Sequence, residues 1–366
     1  MSDVGATLGV EEEYHLVVGA TGLLADAPEV VDAAVALLGE QAQSEISTAQ
    51  LEVATPVSTS LAEVREHLRR LRRGAADAAR QSGCQLLAAG THPVSTWRDQ
   101  RLTDGERYRD LHDRWGVLAL QQLIVGCHVH VSVHDPELAV QVLDRLRPDR
   151  PLLLALSGSS PYWEGEDTGY ASYRTQWYSR FPVTGLPEHF GSRAAYDATV
   201  AQLVAAGIAD DASHLYWDVR PATRYPTVEV RVADTMPLLD DVVLHAGLVR
   251  ALVQQAAADA VAGLPVPELR PEVGRAARWR AARYGLEGEL LDARRAELAA
   301  PADLLGDLLA RVDGPLADSG DLAEVTALAQ AALARGTSAA RQRAVLARTG
   351  DLVAVVRSVV AESERG

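Results

Sequence analysis

Hydrophobic and polar residues alternate along several short segments of the chain, which is the pattern of β-strands with one buried face. The strongest cases are residues 6–19, 123–133 and 227–234, where valine or another apolar residue occupies alternate positions over most of the segment. Weaker strand patterns occur at residues 44–47 and 50–57. The chain is therefore expected to contain a sheet whose central strands have one apolar face and one polar face.

Apolar residues recur at helical spacing over residues 60–81, where Ser60 is a suitable N-cap, and over residues 106–123. The same spacing continues almost without interruption from residue 238 to the end. Residues 161–187 follow neither pattern and are rich in aromatic side chains, so we expect an ordered loop with a function.

No repeat and no linker divides the 366 residues, a length that allows one large domain with a substantial core. We predict a single catalytic domain over residues 1–366. Its sheet-rich core covers about residues 1–237, and its mainly helical C-terminal third covers about residues 238–366.

Composition narrows the class of protein. No apolar run approaches the roughly 20 residues of a membrane-spanning helix, and the N-terminus lacks a secretory signal, so we expect a soluble, cytoplasmic protein without a membrane partner. The net charge of −15 argues against nucleic acid as a partner.

The basic run Arg65–Arg73 has helical spacing and is predicted to be a solvated helix face. Cys84 and Cys127 are predicted to be reduced core thiols.

All 35 basic residues are arginine, and the chain contains no lysine. A Walker A loop, a protein kinase and a pyridoxal enzyme each need a lysine, so these classes are excluded. Any bound phosphate must be held by arginine, metal ions or backbone amides.

Carboxylates and imidazoles are concentrated on the predicted strands. Glu11 and Glu13 project from one face of the first strand, while Glu45 and Glu52 flank a short turn. Either pair alone is compatible with a solvated surface.

The pattern G-x-H-x-H places His128 and His130 on one face, where they can bind a metal or orient a substrate, although a buried core histidine is the commoner case.

Arginines accompany a carboxylate on the last predicted strand. Glu229 and Arg231 share one face, and Arg220 and Arg224 lie just upstream. A surface ion pair would explain Glu229 and Arg231 taken alone. Several strands that each present charge on one face and apolar residues on the other predict a sheet that lines a polar site.

That set of residues predicts metal-dependent chemistry. Magnesium prefers oxygen ligands and leaves coordination positions for water and substrate phosphates. Four or five glutamates with one histidine suit two or more such ions, and manganese is an alternative. The ions would neutralise a triphosphate, and arginine would stabilise the transferred group, which compensates for the missing lysine.

An ordered set of motifs resembles the type 2 glutamate-cysteine ligases, a family of carboxylate-amine ligases in the glutamine synthetase-like superfamily. The motifs are GVEEEYHLV, QLEVATPV, AAGTHPVSTW, ERYRDL, GCHVHVSV, SGSSPYWEGEDTGYASYRTQW and WDVRPATRYPTVEVRVAD, with a weaker match at WRAARYGLEG. They cover most of residues 7–237.

The resemblance implies an α+β fold of the glutamine synthetase-like kind, with a curved, mainly antiparallel sheet and helices packed on one face. It implies an ATP- and Mg²⁺-dependent ligase that forms an amide through an acyl phosphate, a weak or true glutamate-cysteine ligase with small-molecule carboxylate and amine substrates. Homo-oligomer formation is left open, because the C-terminal helices could pack a partner or cover the sheet.

The resemblance also implies roles for individual residues. Metal ligands are Glu11, Glu13, Glu45, Glu52, His128 and Glu229. Catalytic residues are Arg231, Glu229 and Glu52, and nucleotide phosphates are contacted by Arg220, Arg224 and Arg231. Substrate-binding residues are His130, Tyr173 and Arg174.

Two other classes remain compatible with the residues. H-x-H strands also occur in zinc amidohydrolases, although zinc hydrolysis favours more histidine ligands than this chain offers. A non-catalytic ligand-binding relative is the second alternative, and the complete set of glutamate, histidine and arginine residues argues against it.

Overall fold

The structure, a computed structural model, describes residues 4–365, apart from the side chains of residues 106–108. The first half of the ERYRDL motif therefore lies outside the described side chains. Within the described chain, no helix has the length and apolar character needed to cross a membrane.

The chain alternates short strands with helices and ends in a helical third. The strands are β1 (Leu8–Val18), β2 (Ala42–Ser44), β3 (Gln50–Ala54), β4 (Cys84–Leu87), β5 (Gly126–Ser132), β6 (Tyr162–Trp163), β7 (Glu166–Asp167), β8 (Thr184–Gly185), β9 (Tyr216–Trp217), β10 (Val219–Pro221), β11 (Thr227–Asp234), β12 (Leu290–Asp292) and β13 (Glu297–Ala299). The α-helices are α1 (Pro28–Leu38), α2 (Leu61–Gln81), α3 (Glu106–Trp115), α4 (Val117–Leu120), α5 (Pro136–Leu146), α6 (Arg150–Ser157), α7 (Tyr173–Tyr178), α8 (Arg193–Ala205), α9 (Leu239–Val261), α10 (Pro271–Tyr284), α11 (Pro301–Arg311), α12 (Asp313–Asp318), α13 (Leu322–Arg335), α14 (Ser338–Thr349) and α15 (Leu352–Ser363).

The main sheet is antiparallel and has seven strands, in the order β10-β11-β5-β1-β3-β2, with β4 paired to the end of β1. The three strongest predicted strands are confirmed as β1, β5 and β11, which lie side by side at its centre. β11 carries an extra residue between Val230 and Ala233 relative to β5, which is a β-bulge in this strand.

Helices α2, α5, α6 and α9 pack against one face of this sheet, as predicted. The apolar residues of β1, β5 and β11 form the sheet side of the core, and their alternation with charged residues explains why these four helices pack on one face only. This sheet side includes Val10, Val129, Val131, Val228 and Val230, each at most 1% exposed.

One ion pair lies inside this apolar layer. Glu12 projects from β1 away from its two neighbouring glutamates and accepts hydrogen bonds from Arg72 Nε (3.0 Å) and Nη2 (2.5 Å) of α2. The Tyr14 hydroxyl donates to the same carboxylate (2.6 Å), and Arg72 also donates to the carbonyls of Met236 and Pro237. The pair therefore ties β1, α2 and the segment after β11 together.

Arg72 corrects one sequence interpretation. The run Arg65–Arg73 was predicted to be a solvated face, but Arg72 is only 4% exposed because its helix turns it toward the sheet. The N-cap prediction is confirmed, since Ser60 Oγ accepts a hydrogen bond from the backbone of Glu63.

The structure differs from the elements predicted from the sequence in three further places. The helix predicted at 106–123 ends at Gly116, whose φ of 57° begins a new short helix. The strand predicted at 44–47 is instead β2, which begins and ends earlier. The helical third contains the β12–β13 hairpin, which the sequence analysis missed.

We expect Arg72→Ala and Glu12→Ala each to lower the free energy of unfolding by about 3–5 kcal/mol, because each leaves a buried charge without its partner. The double variant should lose clearly less than the sum of the two, since it removes both charges. Urea unfolding of the three variants measures the coupling.

Arg69→Ala is the matched control on the same helix. Its partner Glu66 is 70% exposed, so its loss should cost no more than about 1 kcal/mol. Strictly additive losses for Arg72 and Glu12 would contradict the coupling of the buried pair.

Candidate active site on the polar face of the sheet

The polar face of the sheet, opposite the four helices, collects the predicted metal ligands. Glu11 and Glu13 lie on the same side of β1 because side chains alternate along a strand. Antiparallel pairing then sets the other charged residues beside them. The cross-strand pairs are Glu13 with Glu52, Glu11 with His128, and Glu229 with His130. Residues distant in sequence thus share one surface.

Glu11, His130 and Glu229 form a first ligand group. Each offers one ligand atom, and these atoms all lie within 4.8 Å of one another. Thr227 Oγ1 lies 3.0 Å from His130 Nδ1 and orients the ring, so that Nε2 lies 3.2 Å from Glu11 Oε1. A divalent cation would fit between these atoms.

Glu13, Glu45 and Glu52 form a second ligand group, with the same 4.8 Å limit between ligand atoms. Backbone amides orient two of them, because Gly126 N donates to Glu13 (2.6 Å) and Ile46 N donates to Glu45 (2.7 Å). This group offers only oxygen atoms, which are the ligands that magnesium prefers.

Crowding in the second ligand group changes the acidity of its members. Burial and the nearby Glu45 carboxylate raise the pKa of Glu13 to about 8. Burial, with the carboxylates of Glu11, Glu45 and Glu13, raises the pKa of Glu52 well above its usual value. The metal-free group therefore retains protons that a bound cation would displace.

In the first ligand group the carboxyl pKa values are lowered instead, because positively charged side chains lie beside the carboxylates. Burial alone would raise the pKa of Glu11, but hydrogen bonds from His128 and His130 hold that pKa well below its usual range. Burial acts on Glu229 in the same way, yet the guanidiniums of Arg231 and Arg220 keep its pKa low. Both carboxylates are ionised near neutral pH.

His128 lies between the two ligand groups. Its Nδ1 is 3.1 Å from Glu11 Oε2, and its Nε2 is 3.7 Å from Glu13 Oε1. Burial and the neighbouring Arg231 lower the pKa of His128 to about 4, so its imidazole is neutral. Among residues 4–365, no hydrogen-bond partner satisfies the buried Nε2. A neutral ring with an unused nitrogen can bind a metal.

His130 was predicted to bind substrate and His128 to bind metal. The geometry favours a metal role for His130, since it belongs to the first ligand group and His128 does not. Burial would lower the pKa of His130, but the carboxylates of Glu11 and Glu229 outweigh it and the net pKa is raised. The role of His128 as a ligand stays a prediction.

The three predicted phosphate arginines occupy different positions. Arg231 bonds Glu229 and lies beside His128 at the centre of the site. Arg220 donates to Glu229 Oε2 (2.8 Å) and to the carbonyl of Ser213 (2.6 Å), so it holds that glutamate in place. Arg224 is exposed in the loop between β10 and β11, and no described residue pairs with it.

A cavity opens beside the second ligand group. Its lining includes Glu13, Arg174, Arg231, Tyr178 and Tyr216, together with Glu45, His128, Gln122 and the apolar side chains of Ile46, Leu111 and Ile124. Arg174 is only 5% exposed, and it reaches this cavity from α7. Two guanidiniums facing a polar wall suit a ligand that carries a carboxylate or phosphate.

Tyr173 lies elsewhere. Its ring packs against Trp163 (5.7 Å between centroids) and Tyr170 (6.1 Å) in an aromatic cluster, and it is not among the residues that line the cavity. Its predicted role in substrate binding has no support from this placement.

The sequence analysis missed Tyr178 and Tyr216. Tyr178 lies within the aromatic-rich segment 161–187, which was the available signal. Tyr216 belongs to β9, which pairs with β8, and its ring packs against Tyr178 at the cavity.

The chain matches the model of glutamate-cysteine ligase family 2 over residues 7–360. Among similar proteins, one from Rhodopirellula baltica named "Putative glutamate--cysteine ligase 2" is 42% identical and covers 98% of this chain and 96% of its own length. A protein of the same name from Salinispora arenicola is 44% identical, with coverage of 98% and 95%.

Solved structures share the fold at low sequence identity. The crystal structure of glutamate-cysteine ligase from Francisella tularensis in complex with AMP gives a TM-score of 0.72 at 16% identity, covering 100% of this chain and 90% of that chain. A bifunctional glutathione synthetase from Pasteurella multocida gives 0.72 at 15% identity, covering 98% of this chain and 52% of that chain. The predicted fold class is confirmed.

We expect binding of a divalent cation such as Mg²⁺ to release protons. Because the pKa of Glu13 is about 8 without metal, a proton must leave this carboxylate at lower pH before it can bind the ion. Affinity should therefore rise as the pH increases from 6 to 8, by up to roughly tenfold per pH unit for each displaced proton, and level off above that range.

Isothermal titration calorimetry at one pH in buffers of different ionisation enthalpy measures the number of protons released. Glu13→Gln cannot release this proton and should flatten the pH dependence. Equal proton release from both proteins would assign the proton to another group, contrary to this expectation.

Proposed function

This chain belongs to glutamate-cysteine ligase family 2 and is an ATP-dependent carboxylate-amine ligase, and we propose that it forms γ-glutamylcysteine from glutamate and cysteine. The observation that carries the proposal is a cavity lined by two members of the second ligand group and by two arginines, one of which, Arg231, also bonds Glu229 of the first ligand group. Cations in the ligand groups would hold the triphosphate, and the arginines would hold the acid and the transferred phosphoryl group. Relatives named for this reaction support the choice of substrates.

We assign Mg²⁺ to both ligand groups, with Mn²⁺ as the alternative ion. The second ligand group has oxygen donors alone, and the first adds a single imidazole, a donor set that suits these ions better than zinc. Bound there, the ions would neutralise the negative charge of the nucleotide phosphates.

The reaction proceeds in two transfers. An oxygen of the substrate carboxylate attacks the γ-phosphorus of ATP, the bond to the bridging oxygen breaks, and ADP leaves. The nitrogen of the amine then attacks the carbonyl carbon of the acyl phosphate, phosphate leaves with the bonding electrons, and the nitrogen loses a proton. The first transfer is needed because oxide is too poor a leaving group for an amine to displace.

Arg231 is the residue we propose to stabilise the charge on the transferred phosphoryl group. Its guanidinium lies at the boundary between the cavity and the ligand groups, and its bond to Glu229 fixes its direction. Glu229 thus serves both the arginine and the first ligand group. Glu52 serves the second. Arg220 supports Glu229, and Arg224 keeps its predicted contact with the nucleotide phosphates.

Arg174 is the residue we propose to bind a carboxylate of the amino acid, by a bidentate pair from its guanidinium. Because Arg174 and Arg231 line the same cavity, an acid bound by Arg174 would lie within reach of the phosphoryl group. The lining tyrosines offer hydroxyl groups to the same ligand.

We keep the single catalytic domain as the division of the chain. Contacts between its two parts support this, because Arg343 of α14 binds Asp167 in the segment that carries α7. Substrates of the family are small molecules; cytoplasmic location and assembly into homo-oligomers stay predictions.

The direct test is mass-spectrometric detection of product from purified protein with ATP, Mg²⁺, glutamate and cysteine. We expect γ-glutamylcysteine in step with ADP and phosphate, and no product when any component is omitted. A parallel panel of other acids and amines tests the substrate choice.

ATP-dependent amide formation from another acid and amine of the panel, without product from glutamate and cysteine, would show that the proposed substrates are wrong. The proposed ligase reaction would still hold. ATP-independent hydrolysis of amides with no coupling would contradict the proposed reaction.

Glu52→Gln should reduce kcat by about two orders of magnitude, because several kcal/mol of charge stabilisation depends on the ion that this carboxylate helps to hold. The melting temperature of the metal-free protein should be unchanged or higher, since the substitution relieves repulsion in the second ligand group. Steady-state kinetics at saturating Mg²⁺ and thermal unfolding give the two results.

Glu66→Gln provides a matched control on the exposed face of α2, and it should leave both quantities unchanged. Full activity of Glu52→Gln at saturating Mg²⁺ would remove Glu52 from the site.

A further inference from the structure

Asp234, the last residue of β11, has a carboxylate fully enclosed by hydrogen-bond donors. Its Oδ2 accepts from Ser159 N (3.0 Å) and Ser160 Oγ (2.6 Å), and its Oδ1 accepts from Ser172 Oγ (2.8 Å). The residue is 0% exposed. A buried charge of this kind is costly unless it is paired, so its partners are informative.

The same serines hold the helix that carries Arg174. Ser160 Oγ accepts a hydrogen bond from the backbone N–H of Arg174 (3.1 Å), and Ser172 Oγ caps α7 by accepting from Thr175 N (3.3 Å). Each serine hydroxyl therefore donates to Asp234 and accepts from α7. Asp234 fixes the position of the start of α7 through two separate bridges.

Asp234 also faces the guanidinium of Arg174 directly. Arg174 Nη1 lies 3.8 Å from Asp234 Oδ1, a pair in which both side chains are at most 6% exposed. Within the described chain, the buried Nε of Arg174 has no hydrogen-bond partner. Asp234 therefore balances the positive charge of Arg174, while Nε of Arg174 remains without an acceptor among the described residues. This is the state expected of a guanidinium that binds an anionic ligand.

Gly126 leaves the space that this guanidinium occupies. A Cβ at this position would lie 2.3 Å from Arg174 Nη2 and 2.8 Å from its Cζ. Because Gly126 has no side chain, the guanidinium of Arg174 can lie directly against the first residue of β5. The N–H of the same residue donates to the Glu13 carboxylate.

We propose that Asp234 is a positioning residue for recognition of the substrate carboxylate, and that it acts through Arg174. It orients the guanidinium by charge and fixes the start of α7 through Ser160 and Ser172. This inference rests on the proposed function, which assigns Arg174 to a carboxylate of the amino acid. Asp234 itself touches neither the ligand groups nor the cavity.

The test is the steady-state kinetics of Asp234→Asn with glutamate, or with whichever acid the product assay identifies. Loss of the charge should raise KM for the acid on the order of ten- to hundredfold, the range for a lost charge-assisted hydrogen bond. The KM for ATP and the kcat at saturating acid should change by no more than about threefold, since Arg231 and the ligand groups are intact.

Thr235→Val is the matched control. Thr235 is the next residue, it is fully buried, and its hydroxyl has no hydrogen-bond partner in residues 4–365. The substitution keeps the shape of the side chain, so the KM for the acid should stay at the wild-type value.

Gly126→Ala reaches the same guanidinium from the other side and leaves Asp234 untouched. The clashing atoms are the far end of a flexible side chain, so the protein should still fold while Arg174 moves. We expect the KM for the acid to rise here too. If Asp234→Asn does not fold, Ser160→Ala and Ser172→Ala keep the inference testable, because each removes one bridge between Asp234 and the start of α7 and should raise the same KM.

Arg174→Ala separates failure of this inference from failure of the proposed function. An unchanged KM for the acid in Arg174→Ala would overturn the assignment of Arg174 itself. A raised KM in Arg174→Ala, with a normal KM in folded Asp234→Asn and Gly126→Ala, would overturn the positioning role alone. Loss of thermal stability in Asp234→Asn without a change in KM would likewise make the residue merely structural.

Discussion

Repulsion among carboxylates on one face of the sheet is the constraint on which the site depends. Ionised side chains that lie within a few ångströms of one another, largely out of water, destabilise the folded state unless positive charge is added. Arg231 and Arg220 provide it for Glu229, and the two histidines hydrogen-bond Glu11. The second ligand group is balanced only in part, which is why the pKa values of Glu13 and Glu52 are raised and why a metal ion is the expected counter-charge.

The opposite face of the sheet keeps these strands in place. Valines from β1, β5 and β11 pack against four helices, and Glu12 is tied to Arg72 inside that layer. The three consecutive glutamates of β1 therefore lie on different faces of the sheet and have different roles. The outer two belong to the ligand groups, and the central one holds a helix. Repulsion on the polar face can be tolerated because the apolar face stabilises the same strands.

Alternation along strands was sufficient to predict which residues of β1, β5 and β11 share the polar face, since a period of two depends only on local geometry. It was not sufficient to predict the burial of Arg72, because that depends on which side of α2 meets the sheet. Tyr216 and Arg174 reach the cavity through contacts between segments far apart in sequence. Gly126 is visible in the sequence as the glycine before His128 and His130, but the group that occupies the space beside it, the guanidinium of Arg174, is visible only in the structure.

Because the chain has no lysine, every permanently charged basic group that can bind an anion in the site is an arginine, and these arginines have a feature in common. A guanidinium is planar and always charged, and its donors point in fixed directions, so it must be oriented before it can recognise an anion. Each arginine on the buried side of the site has a carboxylate that does this. Glu229 orients Arg231 and is held by Arg220, while Asp234 lies against Arg174. A lysine would need less orientation, because its ammonium donors rotate freely. Acidic residues next to these arginines are therefore part of anion recognition, even though their own charge repels an anion.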